Sequence, residues 1–111
     1  MTNEEIMSAV SKGKAYTLMF LYKGKNRAQD KTEEDRLQME HLAYLFKLRE
    51  EGKLLLNGPL TGEGDLRGIA IFSLTDTEEV RRLSEEDPAV KAGRLRVEVF
   101  PWFGLPGDHL R

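Results

Sequence analysis

Residues 16–22 have the sequence YTLMFLY, and this stretch decides the fold. It is rich in aromatic and aliphatic residues and is flanked by glycines, which is typical of a β-strand. Leu18 and Phe20 would lie on one face of that strand, and Met19 and Leu21 on the other. A sheet with one solvated face should instead alternate apolar and polar residues. The stretch therefore predicts a central strand that is covered on both faces.

Further strands and helices are predicted outward from this strand by apolar periodicity, capping residues and glycine or proline breaks. The main helix shows an apolar stripe, begins after the N-cap candidate Thr32 and ends before Gly52. The second helix has Asp76 as its cap, and Asp87 followed by proline starts a further short turn. The predicted elements are a helix over 2–11, a strand over 16–22, helix 33–51, strand 53–60, strand 69–74, helix 77–86, a turn over 88–93 and strand 95–103.

After the small first helix, the order of elements is β-α-β-β-α-β, which is the ferredoxin-like pattern of an α+β protein with an antiparallel sheet. Right-handed crossovers then place both long helices on one face of the sheet and make the first and third strands central. The third strand, residues 69–74, is also apolar on both faces. Two helices cover only one face, so the sequence predicts a homodimer in which a second copy covers the other.

The chain has 111 residues, which fits one domain, and its 17 basic and 19 acidic residues give a net charge of −2. That balance predicts no affinity for nucleic acid or for a membrane surface. The absence of cysteine excludes disulfides, thiol nucleophiles and Cys-ligated zinc, and two histidines argue against a metal site. We expect a cytoplasmic protein, because there is neither a secretory-signal pattern nor an apolar run of about 18 residues.

His41 falls within the apolar stripe of the main helix, beside Leu37 and Leu45. One interpretation, the commoner for such a residue, is a core histidine that bonds a backbone carbonyl. The other is a general base or acid, since an imidazole with a pKa of about 6.5 suits proton transfer near neutral pH. A neighbouring carboxylate would fix its tautomer.

Asp87 has a structural interpretation as a helix cap and a functional one as the carboxylate that orients an imidazole, and one residue can do both. Asn57, Gly58 and Pro59 end the second strand. Their functional interpretation is ligand binding, because glycine allows a ligand to approach the backbone closely. The arginines at 81, 82, 94 and 96 are interpreted as solvated, and residues 23–30 as a polar loop.

Several segments together resemble one known family. Residues 39–45, MEHLAYL, and 51–59, EGKLLLNGP, resemble the first half of the YCII-related family. Residues 86–93, EDPAVKAG, and the strand that ends in VFPW at residue 102 resemble its second half. The resemblance covers about residues 16–103. It predicts an N-terminal helical extension over 1–13, a YCII-related ferredoxin-like domain over 14–104 and a tail over 105–111.

The resemblance implies a dimeric α+β barrel with a His-Asp pair in a cleft, which maps onto His41 and Asp87. Most family members have no assigned reaction, although a dehydrochlorinase of chlorinated hydroquinones belongs to it. A related branch has aspartate where this chain has Asn57, so that branch's associations are not carried over. We expect proton transfer on a small organic molecule, by elimination, isomerisation or hydrolysis, without a metal or organic cofactor. The alternatives are a non-catalytic binding dimer and a purely structural dimer.

Overall fold

The computed structural model describes residues 1–111 and contains four helices and four strands. Each predicted element is present, although several begin or end a few residues away from the predicted bounds. The elements are α1 (Asn3–Ser11), β1 (Lys14–Lys23), α2 (Lys31–Glu50), β2 (Leu54–Pro59), β3 (Leu66–Phe72), α3 (Thr77–Glu85), α4 (Pro88–Lys91) and β4 (Leu95–Gly104).

The four strands form one antiparallel sheet in the order β2-β3-β1-β4, with β1 and β3 in the centre as predicted. In this register Met19 of β1 lies between Ala70 of β3 and Val99 of β4. The ferredoxin-like α+β fold is therefore confirmed. The C-terminal ends of β1 and β2 and the N-terminal ends of β3 and β4 meet at one end of the sheet.

The core lies between the sheet and the helices α2 and α3. Its centre is formed by Met19 and Phe72 from the sheet, Leu45 and Leu48 from α2 and Val80 from α3, all of them buried. Burial of each such side chain stabilises the fold by about 1.5–3 kcal/mol relative to its exposure. The helices thus cover one face of the sheet, and this packing holds α2 in place.

The opposite face of the sheet carries no helix, and we call it the open face. Tyr16 of β1 packs there against Trp102 of β4, with ring centroids 6.1 Å apart, and Phe20 packs against Phe100 at 5.5 Å. Trp102 and Phe100 nevertheless remain 39% and 38% exposed. The central strands therefore carry apolar residues on both faces, as predicted, and a single chain leaves the open face uncovered.

Two of the shifted boundaries, the starts of α2 and β3, have a clear physical reason. Helix α2 begins at Lys31 instead of 33, because its N-cap is Asp30 and not Thr32. The carboxylate of Asp30 accepts a hydrogen bond from the N–H of Glu33 at 2.9 Å, and aspartate caps helices at least as well as threonine. Strand β3 begins three residues before the predicted residue 69, because the polar side chain of Arg67 does not prevent its backbone from pairing with Leu60.

Helix α1 packs no side chain into the core, and its apolar residues Ile6, Met7 and Val10 are exposed. Its N-terminus is well formed, since Thr2 and Glu5 make a reciprocal capping box. The N–H and hydroxyl groups of Thr2 stabilise the carboxylate of Glu5 and lower its pKa. The helix is therefore defined by local interactions alone.

Candidate active site

His41 lies on the buried face of helix α2. Leu37 and Leu45 lie one turn before and one turn after it, on the buried stripe that the sequence predicts. His41 is only 8% exposed, so the imidazole is held by the same packing that holds the helix. The stripe thus places a titratable ring at the boundary between the core and a cavity.

Asp87, the N-cap of helix α4, contacts the ring of His41. The residue before a proline is disfavoured in the α conformation, and Asp87 is extended, with φ −63° and ψ 126°. One carboxylate oxygen, Oδ1, accepts a hydrogen bond from the N–H of Ala89 at 2.9 Å. The other, Oδ2, lies 2.5 Å from Nδ1 of His41. Asp87 is 2% exposed and therefore joins the ring and the cap out of contact with water.

The arrangement determines which nitrogen of His41 is free. When Asp87 is ionised and the ring is neutral, Nδ1 donates to Asp87, because a carboxylate can only accept hydrogen bonds, and Nε2 carries the lone pair. Nε2 makes no hydrogen bond within the protein. Every fully buried side-chain nitrogen or oxygen has a hydrogen-bond partner, so Nε2 is accessible from outside the core. His41 also lines the cavity described next, and Nε2 is its one ring nitrogen without a partner in the protein. This is the geometry of a general base with an orienting carboxylate.

The cavity has a volume of about 270 Å³ and lies between α2, α4 and the end of the sheet where β2 stops and β3 and β4 begin. His41 lines it together with all three predicted ligand-binding residues, Asn57, Gly58 and Pro59, whereas Asp87 lies behind the imidazole. A Cβ atom added at Gly58 would meet nothing within 4 Å. The packing of this chain therefore does not require glycine there, although Gly58 and Pro59 also end the strand as predicted.

Three arginines also line the cavity, and the sequence interpretation missed them. They are Arg27, Arg67 and Arg94. The interpretation of Arg94 as solvated was wrong: its side chain is 19% exposed and lies 2.5 Å from Glu34 in an ion pair. No periodic pattern marks these residues, because they come from a loop and from the starts of two strands that are distant along the chain.

The loop between β1 and α2 is fastened to the C-terminal end of α4. Gly24 N–H donates to the carbonyl of Arg94 at 2.8 Å, and Asn26 N–H donates to that of Gly93 at 2.9 Å. Nη1 of Arg27 donates to the carbonyl of Arg94 at 2.7 Å. A Cβ at position 24 would lie 2.1 Å from the oxygen of Gly93, so this approach requires glycine. The residues that flank α4 thus contact two parts of the cavity wall. Asp87, before the helix, binds His41, and the carbonyl of Arg94, after it, accepts from Arg27.

Tyr44 links the same helix to α3. Its hydroxyl donates a hydrogen bond to the carbonyl of Leu83 at 2.7 Å. Burial of the phenol, together with the charges of Glu86 and Asp87, raises the pKa of Tyr44. The tyrosine therefore remains a neutral donor and helps to position the helix that carries His41.

Fold and site together define a ferredoxin-like domain with a buried His-Asp pair beside a small cavity. The family model of the YCII-related domain matches residues 16–103, and the chain therefore belongs to this family. A search of curated proteins finds no match.

Among solved structures, the chain is similar to 5-chloro-2-hydroxyhydroquinone dehydrochlorinase (TftG) from Burkholderia phenoliruptrix AC1100, in complex with 2,5-dihydroxybenzoquinone. The sequences are 28% identical, the TM-score is 0.54, and the match covers 77% of this chain and 92% of the dehydrochlorinase. No group of three or more His, Cys, Asp or Glu side chains is arranged to hold a metal ion. No helix has the length and apolar character needed to cross a membrane.

Proposed function

We propose that the protein is a small-molecule enzyme in which His41 transfers a proton and Asp87 orients it. One observation carries the proposal: Oδ2 of Asp87 lies 2.5 Å from Nδ1 of His41, a residue that lines the cavity and whose other ring nitrogen has no partner in the protein. Asp87 keeps the lone pair on Nε2 in the resting state and stabilises the imidazolium after proton uptake. General acid–base catalysis of this kind contributes about 10²–10⁴ in rate.

The first step is removal of a proton from the substrate by Nε2 of His41. In an elimination, the electron pair of the broken bond forms a double bond while a leaving group departs with its own electrons. In an isomerisation, His41 returns the proton to another atom. In a hydrolysis, His41 instead takes the proton of a water molecule, whose oxygen bonds to the substrate while the bond to the leaving group breaks and that group departs with the electron pair. Similarity to a dehydrochlorinase favours elimination from a small ring. None of these steps needs a metal or an organic cofactor.

The proposed ligand-binding wall is the end of β2. Asn57 is held by Arg49 of α2, whose Nη1 donates to its side-chain oxygen at 2.8 Å. Gly58 leaves the backbone accessible from the cavity, and Pro59 has no N–H that would need a partner. This wall is therefore tied through Asn57 to α2, the helix that carries His41.

We further propose that the active form is a homodimer that pairs two open faces. Phe100 and Trp102 keep more than a third of their surface exposed in one chain, which is unusual for contiguous large apolar residues unless a partner covers them. A partner of the same kind would bury a dimer interface above about 2,000 Å² in total. The domain would span residues 14–104, with 1–13 as an extension and 105–111 as a tail. A cytoplasmic location stays a prediction from the sequence.

The proposal is tested with the compounds that the dehydrochlorinase structure names. The protein is mixed in D₂O with 2,5-dihydroxybenzoquinone, and exchange of the ring C–H for deuterium is followed by NMR. Chloride release from 5-chloro-2-hydroxyhydroquinone is measured in parallel. We expect the wild type to accelerate at least one process, and His41→Gln to reduce that rate by about 10²–10⁴. His109→Gln, in the exposed tail, is the matched control and should behave as wild type.

Two results would contradict the enzyme hypothesis. Equal rates for wild type and His41→Gln would show that His41 is not the base. Binding of 2,5-dihydroxybenzoquinone at the cavity with neither exchange nor chloride release would favour the alternative, a non-catalytic metabolite-binding dimer. That alternative retains the cavity but tolerates the loss of His41.

A further inference from the structure

The wall of the cavity is positively charged, although the chain as a whole is slightly negative. Its lining includes Arg27, Arg67 and Arg94 and contains neither aspartate nor glutamate. Arg94 is neutralised by Glu34, which lies 2.5 Å away. The other two, Arg27 and Arg67, line the cavity without a carboxylate partner in an ion pair.

These two arginines differ in how much of their hydrogen-bonding capacity is used. Arg67 donates to the carbonyls of Leu60, Gly62 and Gly64, so it is committed to closing the β2–β3 turn and adds mainly a fixed positive charge. Arg27 makes one hydrogen bond, to the carbonyl of Arg94, and its other N–H groups have no acceptor in the protein. Arg27 therefore keeps more free donors than either of the other two arginines at the cavity, and one hydrogen bond still orients its guanidinium.

The surroundings of Arg27 disfavour its positive charge, and a bound anion would counteract this effect. Partial burial and the charge of Arg94, with a smaller effect from Arg67, lower the pKa of Arg27, while Glu34 opposes them. An oxyanion beside this guanidinium would offset the repulsion and occupy the free donors. A planar guanidinium matches a carboxylate or a similarly delocalised oxyanion in a two-pronged contact.

We infer that the cavity binds a small organic oxyanion, a carboxylate or an acidic enol conjugated to a carbonyl, with Arg27 as the residue that recognises its charge. Leu37, Leu42 and Leu95 contribute apolar surface, so the body of the ligand is apolar. The inference deepens the proposed function by naming its substrate class: the anionic group binds at Arg27, and the rest of the molecule extends towards Nε2 of His41.

The experiment measures binding alone, by NMR titration of backbone amides in the full chain. Two pairs of probes each compare an anion with a neutral analogue: benzoate against benzamide, and 2,5-dihydroxybenzoquinone against its dimethyl ether. The first pair tests a carboxylate and the second an acidic enol. We expect at least one anion to bind more tightly than its neutral partner, with shifts at residues of the cavity wall. Higher salt should weaken that preference, because a partly exposed charge is screened.

Arg27→Gln removes the charge and keeps a polar, shorter side chain. It should weaken binding of the anion by about tenfold, the effect of one charge-assisted contact, and leave binding of the neutral partner unchanged. Arg81→Gln on α3 makes the same change in net charge away from the cavity and should have no effect. Circular dichroism of both variants confirms that they fold.

The inference is overturned if neither anion binds better than its neutral partner, or if Arg27→Gln weakens both members of a pair equally. These outcomes concern affinity and are independent of proton transfer. A protein that prefers the anion but catalyses neither exchange nor chloride release would instead contradict the proposed enzymatic function and leave anion recognition intact.

Discussion

The two carboxylate oxygens of Asp87 have separate partners: Oδ2 lies 2.5 Å from Nδ1 of His41, and Oδ1 accepts the N–H of Ala89 at 2.9 Å. One buried side chain thus caps helix α4 and holds the imidazole. Capping needs only an acceptor oxygen, whereas stabilising an imidazolium needs a negative charge. The two functions can therefore be separated by substitution.

Asp87→Asn should retain the cap and remove the charge. Asp87→Ala should lose the cap, worth about 0.5–2 kcal/mol, and leave Nδ1 of His41 unpaired, which costs about 1–3 kcal/mol more. We therefore expect urea unfolding to show a much larger loss of stability for alanine than for asparagine. Any catalysis should fall in both variants.

The state of His41 in these variants is measured by ¹⁵N NMR of its ring. With Asp87→Asn, the side-chain amide can turn its NH₂ towards Nδ1, which then accepts a hydrogen bond, so the proton moves to Nε2. The wild type should show the Nδ1–H tautomer. Identical ring spectra in wild type and both variants would mean that the pair has no influence on His41 and that Asp87 is only a cap.

Tyr44 predicts a loss of stability at alkaline pH. Its pKa in the folded protein is raised by burial and by nearby carboxylates, so the unfolded chain ionises first, near pH 10. The contribution of Tyr44 is therefore complete below pH 10 and declines as the pH rises towards the higher folded pKa. Tyr44→Phe cannot ionise and lacks only the hydrogen bond to Leu83, about 0.5–1.5 kcal/mol.

Urea unfolding of wild type and Tyr44→Phe at pH 8 and pH 11 checks this prediction. Other groups titrate equally in both proteins and cancel in the comparison. The stability advantage of the wild type should shrink between the two pH values. A constant difference would mean that the phenol ionises equally easily in the folded and the unfolded chain.

The open face predicts a homodimer. Light scattering should give a mass twice the 12.7 kDa of the chain at micromolar concentration. Ile71 lies in the central strand β3 and faces away from the helices, so Ile71→Arg would place two charges in the paired sheets and should give a monomer. Leu110→Arg in the exposed tail is the control and should remain a dimer. A wild-type monomer would refute pairing of the open faces.

Removal of residues 1–11 tests the domain boundary. Helix α1 has no buried residue, and its capping box is internal to the segment. The truncated protein should unfold at nearly the wild-type urea concentration and keep its dimeric mass. Thr2→Ala should disturb only the helix content of α1. An unfolded or monomeric truncated chain would show that α1 is part of the domain.

Two glycines, Gly24 in the loop that carries Arg27 and Gly58 in the cavity wall, predict opposite outcomes for the same substitution. Gly24→Ala would push a Cβ atom against the backbone oxygen of Gly93, and overpacking of this kind costs about 1–3 kcal/mol. It should also displace the loop that carries Arg27. Gly58→Ala meets no atom and should leave stability unchanged, so any loss of ligand binding would come from the added methyl group. Equal stability of the two variants would contradict the close approach at Gly24.

The strands and helices could be predicted because their signals are local. The caps Asp76 and Asp87, the break at Pro88 and the two-sided apolar stretch of residues 16–22 each act over a few neighbouring residues. The start of α2 was misplaced for the same reason. Asp30 and Thr32 are both good caps two residues apart, and local pattern does not rank them.

Residues of the site could be predicted only where a local sequence signal or the family resemblance marked them. His41 stands out on the buried stripe of α2, and Asp87 on its proline. Arg27 and Arg67 lie in a loop and at the start of a strand, and only the strand order brings them to one cavity. Charge alone predicts exposure for an arginine, so the partly buried ion pair of Arg94 was missed.

Helix α4 has only four residues, and this brevity has a geometric consequence. Asp87 at its start touches the imidazole, and Gly93 and Arg94 just past its end hold the loop of Arg27. At 1.5 Å per residue, the helix spans about 6 Å and is too short to bend. It therefore sets the spacing between His41 and Arg27. Insertion of a single residue into α4 would change that spacing and, under the proposed function, the size of the ligand that fits between them.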